Sequence, residues 1–314
     1  MIDFSLTSYQ GEPLAKLTRN GMIESLHSGH LVMLNADGTI FKAKGEIDLP
    51  IYGRSAIKAL QAIGMLRSGL KVTPQQLALV CASHAGSQEH LDVVLSILHD
   101  NGLTEGHLRN AKDKPLGDDE RRAWGDREAT RLTQNCSGKH AGMLATCVAN
   151  GWNLENYLAP THPLQVAILH EIEVLTGEKV ARVTADGCGA PLFAFTTLGL
   201  AKAFHAITIS EDPIHQQVIA ACIANPVLLA GKGRLATRMM QDVPGLFMKE
   251  GAEAVLATTL ADGRTLVFKI TDGALRPLGP IIAAAFAMWG IKVAEEPTVI
   301  LGGDAPVGSI EALL

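Results

Sequence analysis

Alternating apolar and polar residues mark both ends of the chain as strands. Near the N-terminus, "HSGHLVMLNADGTIFKAKG" alternates on both sides of Asp37-Gly38, which is typical of a hairpin closed by a tight turn. Near the C-terminus, "LFMKEGAEAVLATTLADGRTLVFKITDG" predicts two strands around a turn at Asp262-Gly263, and "TVILGG" predicts a further strand. A helix is predicted near 277–290, between these strands.

The centre of the chain has helical periodicity instead. In "RSAIKALQAIGML" four apolar residues recur about one turn apart: Ile57, Leu60, Ile63 and Leu66. They predict an amphipathic helix that ends near Gly69. From about 74 to 240 more helices are predicted, in "PQQLALVCAS", "SQEHLDVVLSILHDNG", "GKHAGMLATCVANG", "HPLQVAILHEIEVLTG" and "PIHQQVIAACIA". The charged stretch between about 105 and 135 lacks this periodicity and is predicted to be a long surface loop.

Strands at both ends around a helical centre predict an α+β fold. We expect an antiparallel sheet subdomain built from about 1–50 and 245–314, packed with a mainly helical region of about 51–244. No repeat, low-complexity tract or linker divides the 314 residues, so a single catalytic unit is predicted.

Composition and charge exclude several classes of function. A hydrophobic content of 47% with 19% charged residues is typical of a soluble globular protein. A net charge of −5 gives no reason to expect nucleic-acid binding, which normally requires a basic face. The longest apolar runs are too short to span a bilayer, and the N-terminus lacks a secretory signal pattern. Five cysteines at irregular spacing indicate reduced thiols. We therefore expect a cytoplasmic protein with no membrane partner.

A serine and a lysine at helical spacing form the first candidate for chemistry. Ser55 and Lys58 make an S-x-x-K pattern in which one turn separates the two side chains. Serine is a weak nucleophile until a base takes its proton, and a neighbouring lysine can do so. A second S-x-x-K, Ser68 to Lys71, straddles Gly69 at a helix end. The alternative for the first is a polar helix start and a solvated lysine.

Three other polar segments have both chemical and structural interpretations. In "CASHAGSQEH", Ser83 beside a histidine suggests a catalytic pair, although a helix cap is the simpler interpretation. "NCSGKHAGMLA" and "DGCGAP" allow three interpretations. Cys136 and His140 could form a nucleophile pair, or Cys136 and Cys188 could bind zinc with at least one further ligand. The third interpretation is two buried thiols. Lys249 in "FMKEGAEAV" lies on a predicted strand, and a lysine on a strand is usually a solvated charge at the sheet edge.

Taken in chain order, six segments resemble the rhizobial-type, or thermolabile, L-asparaginases of the asparaginase II family. The segments are "RNGMIESLHSGH", "GRSAIKALQ", "CASHAGS", "NCSGKHAGMLA", "DGCGAP" and "KEGAEAV", and they span about 19–273. The resemblance implies a fold similar to that of serine β-lactamases and serine glutaminases. Ala254 departs from the family, which often has glycine at this position.

The resemblance also implies roles for individual residues. Ser55 matches the family nucleophile and Lys58 its partner base, while Ser83 and Lys249 match a second Ser–Lys pair. Lys269 is a nearby rival for the position of Lys249.

Further positions match a metal site and a pocket wall in the same family. Cys136, Lys139 and Cys188 match the ligands of one zinc ion completed by water. Arg54, His140 and Asp186 match polar residues that line the substrate pocket, with Arg54 suited to the substrate carboxylate and Asp186 to its ammonium. The family also implies a homodimer.

The expected reaction is hydrolysis of the L-asparagine side-chain amide to L-aspartate and ammonia through a Ser55 acyl-enzyme, with Lys58 as a neutral base. Three alternatives stay open. L-Glutamine could be the better substrate, because one methylene changes binding by only about 1–3 kcal/mol. A β-lactam or D-Ala peptide hydrolase is disfavoured because no S-x-N element follows at a suitable place. A zinc-containing amino-acid-binding or regulatory protein would leave the serines without a catalytic role.

Overall fold

The strands in the described part of the chain form two antiparallel sheets. The computed structural model describes residues 11–294 and 298–314. Part of the predicted sheet segment of about 1–50, and part of the N-terminus that was predicted to lack a secretory signal, lie outside these residues. The strands of the described residues are β1 Glu12–Arg19, β2 Met22–Leu34, β3 Ile40–Lys44, β4 Pro50–Tyr52, β5 Arg182–Ala185, β6 Pro191–Thr196, β7 Phe247–Gly251, β8 Val255–Thr259, β9 Thr265–Ile270, β10 Val299–Gly302 and β11 Ala305–Ala312.

The larger sheet joins the two ends of the chain. Its order is β10-β11-β1-β2-β9-β8-β7, and β3 pairs with β2 beside this path. β1 lies antiparallel to β11, with Leu17 opposite Ile310, and both side chains are buried. The predicted hairpin at Asp37-Gly38 is present as β2 and β3, and the turn at Asp262-Gly263 joins β8 and β9. β7 is an additional strand of the same C-terminal segment.

The region between the sheet segments is mainly helical. Its α-helices, with one more near the C-terminus, are α1 Lys58–Arg67, α2 Pro74–Val80, α3 Gln88–Asp100, α4 Asp118–Trp124, α5 Ser137–Asn150, α6 Pro163–Thr176, α7 Thr197–Ile209, α8 Pro213–Ala224, α9 Pro226–Leu229, α10 Leu235–Asp242 and α11 Leu278–Met288. α7 packs on β2, β8 and β9, while α11 packs on β1 and β11. The protein is therefore α+β, as predicted.

Two features of the central region differ from prediction. The charged stretch is not wholly a loop, because α4 forms within it. Acidic residues occupy its first turn and arginines its last turn, so charge complements the helix dipole where apolar periodicity is missing. A second sheet, with order β4-β6-β5, also lies in this region. β6 is a short, continuous apolar run, which periodicity alone cannot distinguish from a helix segment.

None of the helices within the described residues combines the length and apolarity needed to cross a membrane.

Candidate active site

Three of the four residues predicted to be catalytic line one cleft of about 600 Å³. Ser55 lies in a short 3-10 helix, Arg54–Ile57, that leads from β4 into α1. Ser83 follows the C-terminal end of α2, and Lys249 lies in the middle of β7. The cleft is thus formed where the edge of the large sheet meets the helical region.

Two buried lysines meet at the Ser83 hydroxyl. The Nζ atom of Lys249 lies 3.0 Å from Ser83 Oγ, and that of Lys58 lies 3.2 Å from the same oxygen. Lys58 also donates to the Ala82 carbonyl at 2.5 Å. Because Lys58 is 1% exposed and Lys249 3% exposed, the amines meet away from bulk water. The three side chains form a continuous hydrogen-bonded chain.

Lys249 has the altered acidity that proton transfer requires. Burial, followed by the charge of nearby Lys58, lowers the pKa of the Lys249 amine to about 7. Near neutral pH a substantial fraction of Lys249 is therefore uncharged. An uncharged amine can accept the proton of the Ser83 hydroxyl, whereas an ammonium cannot.

Ser55 faces the same cleft but has a different environment. Its spacing predicted that the Lys58 amine would lie beside its hydroxyl. The amine instead reaches Ser83, and among the described residues the Ser55 hydroxyl has no hydrogen-bond partner. Ser68, the serine of the second S-x-x-K, donates to the Gly64 carbonyl at 2.8 Å and caps the end of α1.

The backbone around Ser55 is tightly constrained. Arg54 has a φ of 47°, in the left-handed region that non-glycine residues seldom adopt. Gly251 packs directly on this turn, since a Cβ there would lie 3.2 Å from the Ser55 nitrogen and 3.1 Å from the Ala56 nitrogen. The close approach of Gly251 holds β7, and with it Lys249, against the turn that carries Ser55.

The rival lysine lies elsewhere. Lys269 pairs with His30 across β9 and β2, and its amine donates to the Ile270 carbonyl. Of the two lysines, the structure brings Lys249 to Ser83.

A second buried cluster contains the residues predicted to bind metal. Lys139 Nζ lies 3.3 Å from Cys188 Sγ, and Cys188 Sγ lies 3.8 Å from Asp186 Oδ2. A hydrogen bond from Cys136, and then the Lys139 charge, lower the pKa of the Cys188 thiol to about 5 despite its burial. The same bond and burial raise the pKa of the Cys136 thiol to about 12. The cluster therefore pairs a thiolate with an ammonium.

Close helix packing brings this cluster next to Ser83. α5 begins just after Cys136, and its Gly138 lies so near α2 that a Cβ would be 2.4 Å from the Leu79 carbonyl oxygen. His84, the neighbour of Ser83, makes a 2.8 Å hydrogen bond with Ser137 of α5. The segment that carries Ser83 is thus fastened to the helix that carries Cys136 and Lys139.

None of the three residues predicted to line the substrate pocket lines the cleft, and Arg54 instead lines a separate cavity. Arg54 Nε donates to Asp186 Oδ1 at 2.9 Å, and Lys139 and Arg54 lower the pKa of the Asp186 carboxyl against the opposing effect of burial. His140 Nδ1 lies 2.8 Å from the Tyr157 hydroxyl, and burial, then Lys139, lower its pKa well below 6.5. Asp186 therefore links Arg54 to the thiol cluster.

Comparison with known families decides the class of the protein. The family model of L-asparaginase II matches residues 15–302 of the 314. The chain belongs to the L-asparaginase II family. The protein is accordingly a hydrolase of the asparaginase type, an amidohydrolase whose family implies L-asparagine as substrate. No curated protein matches the chain.

The thiol cluster of this L-asparaginase II family member contains two cysteines, which are common zinc ligands, and a lysine, which is not. No group of three or more His, Cys, Asp and Glu side chains in the described residues could hold a metal, so a zinc site here would need Lys139 as its third donor. Ligands of a tetrahedral zinc are separated by roughly 3.6 Å, and the Lys139–Cys188 distance of 3.3 Å is close to this. Binding would require loss of protons from Lys139 and Cys136, since Cys188 already favours the thiolate.

The cleft of this family member also contains an arginine that sequence reasoning missed. Arg234 lines the cleft, and its Nη2 atom is 3.4 Å from Glu250 Oε2. Its Nε atom is buried without a hydrogen-bond partner in the described part of the chain. The flanking glycines of "GKGR" were a sign of a tight loop, but no pattern in the sequence places that loop beside Ser55.

Proposed function

We propose that the protein hydrolyses the side-chain amide of L-asparagine through a Ser55 acyl-enzyme, with Lys58, Ser83 and Lys249 moving the protons. The observation that carries this proposal is the hydrogen-bonded chain Lys58–Ser83–Lys249 in the cleft that Ser55 lines. Within the asparaginase activity of the family, this assigns the nucleophile and the proton pathway.

The first step uses the chain to free Lys58 for base catalysis. Lys58 passes a proton to the Ser83 oxygen as the Ser83 proton moves to uncharged Lys249. The neutral Lys58 amine then accepts the Ser55 proton as Ser55 Oγ bonds to the amide carbon. Hydrogen bonds at a catalytic base are often long until substrate binds, so the amine need move only from the Ala82 carbonyl toward Ser55. Backbone N–H groups at the start of the helix hold the oxyanion.

The second step releases ammonia. The C–N bond breaks as the nitrogen takes a proton from the Ser83 hydroxyl, which Lys58 replaces with the proton it took from Ser55. Water then attacks the aspartyl ester, giving L-aspartate and free Ser55. Ser83 is therefore the proton donor to the leaving group, and Ser55 is the residue that becomes acylated.

The substrate carboxylate needs a cation, and two arginines are candidates. The family resemblance favours Arg54, which donates to Asp186 through Nε alone and has no described partner at its terminal nitrogens. Position in the cleft favours Arg234. Replacing each arginine with Met separates them, because loss of the carboxylate partner raises KM for asparagine by about 10-fold or more.

We also propose that Cys136, Lys139 and Cys188 hold one zinc ion. When bound, zinc would supply a charge that two thiolates neutralise and would tie α5 to the loop that carries Asp186. Because Asp186 is ion-paired with Arg54, the residue before Ser55, this tie would steady the turn that presents the nucleophile.

The acyl-enzyme assignment can be tested with 5-diazo-4-oxo-L-norvaline, an asparagine analogue that alkylates nucleophiles. Peptide mass spectrometry should place the adduct on Ser55, and Ser55→Ala should prevent labelling while Ser68→Ala does not. An adduct on Ser83 in the wild-type protein would exchange the roles of the two serines and contradict the proposal.

A further inference from the structure

A second cavity, of about 460 Å³, lies between the two sheets. The large sheet contributes His30 of β2 and Lys269 of β9, while the small sheet contributes residues of β4, β5 and β6. Glu253 lines both this cavity and the catalytic cleft, but Ser55, Ser83 and Lys249 line only the cleft. We call this space the inter-sheet cavity.

His30, which lines the inter-sheet cavity, has an unused hydrogen-bond donor. The side chain is 1% exposed, and its Nδ1 atom accepts from the Glu46 backbone N–H at 3.0 Å. The proton of the neutral ring must therefore be on Nε2, which is buried and has no partner within the described residues. Burial lowers the pKa of His30, so the ring stays neutral at physiological pH. A buried donor without a partner is costly unless a ligand or water accepts its hydrogen bond.

Lys269 places a cation next to this donor. It is the residue directly opposite His30 in the β2–β9 register, so the two side chains project from the same face as neighbours. The Lys269 amine uses one N–H for the Ile270 carbonyl, which leaves two for a ligand. A neutral N–H and an ammonium side by side match the two oxygens of a carboxylate.

The rest of the lining combines charged, polar and apolar side chains. Glu253 is the acidic residue among the cavity-lining side chains, and its charge acts on Lys269. Arg54, Arg182 and Thr271 add polar groups to the wall, and Pro50, Ile51, Tyr52 and Ala194 make its apolar part. A ligand that satisfied all of these surfaces would carry a carboxylate, a positive group and a hydrocarbon part.

We propose that the inter-sheet cavity is a second ligand site, which binds a free α-amino acid with an apolar side chain. The carboxylate of the amino acid bonds to His30 Nε2 and Lys269, its ammonium pairs with Glu253, and its side chain packs on Ile51 and Tyr52. The charges of both signs favour a zwitterion over a simple anion.

The test is calorimetric titration of the full chain with L-leucine. We expect saturable binding that is at least about 10-fold tighter than binding of 4-methylpentanoate, which lacks the ammonium, or of L-leucinamide, which lacks the carboxylate. No binding of L-leucine would overturn the proposal, as would equal binding of all three.

Matched variants identify where L-leucine binds. Lys269→Met should weaken binding at least about 10-fold, and Tyr52→Ala, at a side chain 41% exposed, should weaken it severalfold without loss of the fold. Lys202→Met, at an exposed lysine of α7, should leave it unchanged. If Lys269→Met bound L-leucine as tightly as wild type while L-asparagine displaced it, the ligand would occupy the catalytic cleft and the proposal would fail. Asparagine hydrolysis, measured on the same samples, reports separately on the proposed function.

Discussion

At the scale of single residues, the proposed mechanism makes Lys249 the group that sets the pH dependence of the reaction. Its pKa is lowered to about 7 by burial and then by Lys58. The amine must be uncharged to accept the Ser83 proton, so activity needs the form that predominates above that pKa. We expect kcat/KM for L-asparagine to rise with pH through about 7 and to fall below it.

Two lysine replacements, one at Lys249 and a control at Lys202, test this role. Lys249→Met should lower kcat by about 100-fold or more, while Lys202→Met should keep both the rate and the profile. A profile that stayed flat between about pH 6 and 8 in wild type would contradict the role of Lys249.

Cys188 is the residue on which the proposed zinc site depends most. Its thiol is already largely a thiolate near neutral pH, with a pKa of about 5. Elemental analysis of the purified protein should find about one zinc per chain, and Cys188→Ala should lower this to near zero, because two ligands hold zinc poorly. Cys147→Ala, another buried cysteine, should leave the zinc content unchanged. Zinc-free wild-type protein that had been purified without chelators would contradict the site.

The sequence predicted several residues of the site but not the hydrogen bonds between them. The order of the motifs selected Ser83 and Lys249, which the fold brings within 3.0 Å. That Lys58 reaches Ser83 instead of Ser55 depends on the rotamers of a long side chain and on where α2 ends in space. Neither is encoded in the i,i+3 spacing. The place of Arg234 in the cleft could not be predicted either, because its loop and Ser55 come to line one cleft only in the folded chain.

At the scale of elements, the contact of α5 with α2 holds the two chemical clusters together. A Cβ at Gly138 would lie 2.4 Å from the backbone oxygen of Leu79, which cannot rotate away. We expect Gly138→Ala to lower the free energy of unfolding by about 1–3 kcal/mol, since overpacking outweighs the better helix propensity of alanine. Because α5 must shift from Ser83, kcat should fall as well.

Gly106→Ala is the matched control, because a Cβ there would meet its nearest atom at an ordinary 3.5 Å. Urea denaturation and ammonia release measured on both variants check this prediction. Wild-type stability and rate in Gly138→Ala would show that the helix contact is looser than its geometry indicates.

The elements themselves were predictable in proportion to their length and period. The hairpin at Asp37-Gly38 and the helix that ends near Gly69 follow patterns of many residues. β4, with three residues, offers no period to detect. α4 is stabilised by charges at its ends, and β7 is separated from β8 by a turn with φ of 60° at Glu253 and 52° at Ala254, which alternation does not indicate.

At the scale of the whole molecule, the sheet makes the chain ends interdependent. β1 lies between β11 and β2, so the N-terminal strand is held by the C-terminal one. α7 packs on β2, β8 and β9, which couples the helical region to the sheet. The single catalytic unit, the homodimer, the cytoplasmic location and the likeness to the serine β-lactamase fold stay predictions.

The central claim is that this molecule is an asparagine amidohydrolase with Ser55 as its nucleophile. The most direct measurement is ammonia release from L-asparagine and L-glutamine by wild type, Ser55→Ala and Ser68→Ala. We expect rapid release from L-asparagine, slower release from L-glutamine, loss of activity in Ser55→Ala, and retention in Ser68→Ala, whose serine only caps α1. Release from neither amide, or near-wild-type turnover in Ser55→Ala, would contradict the account.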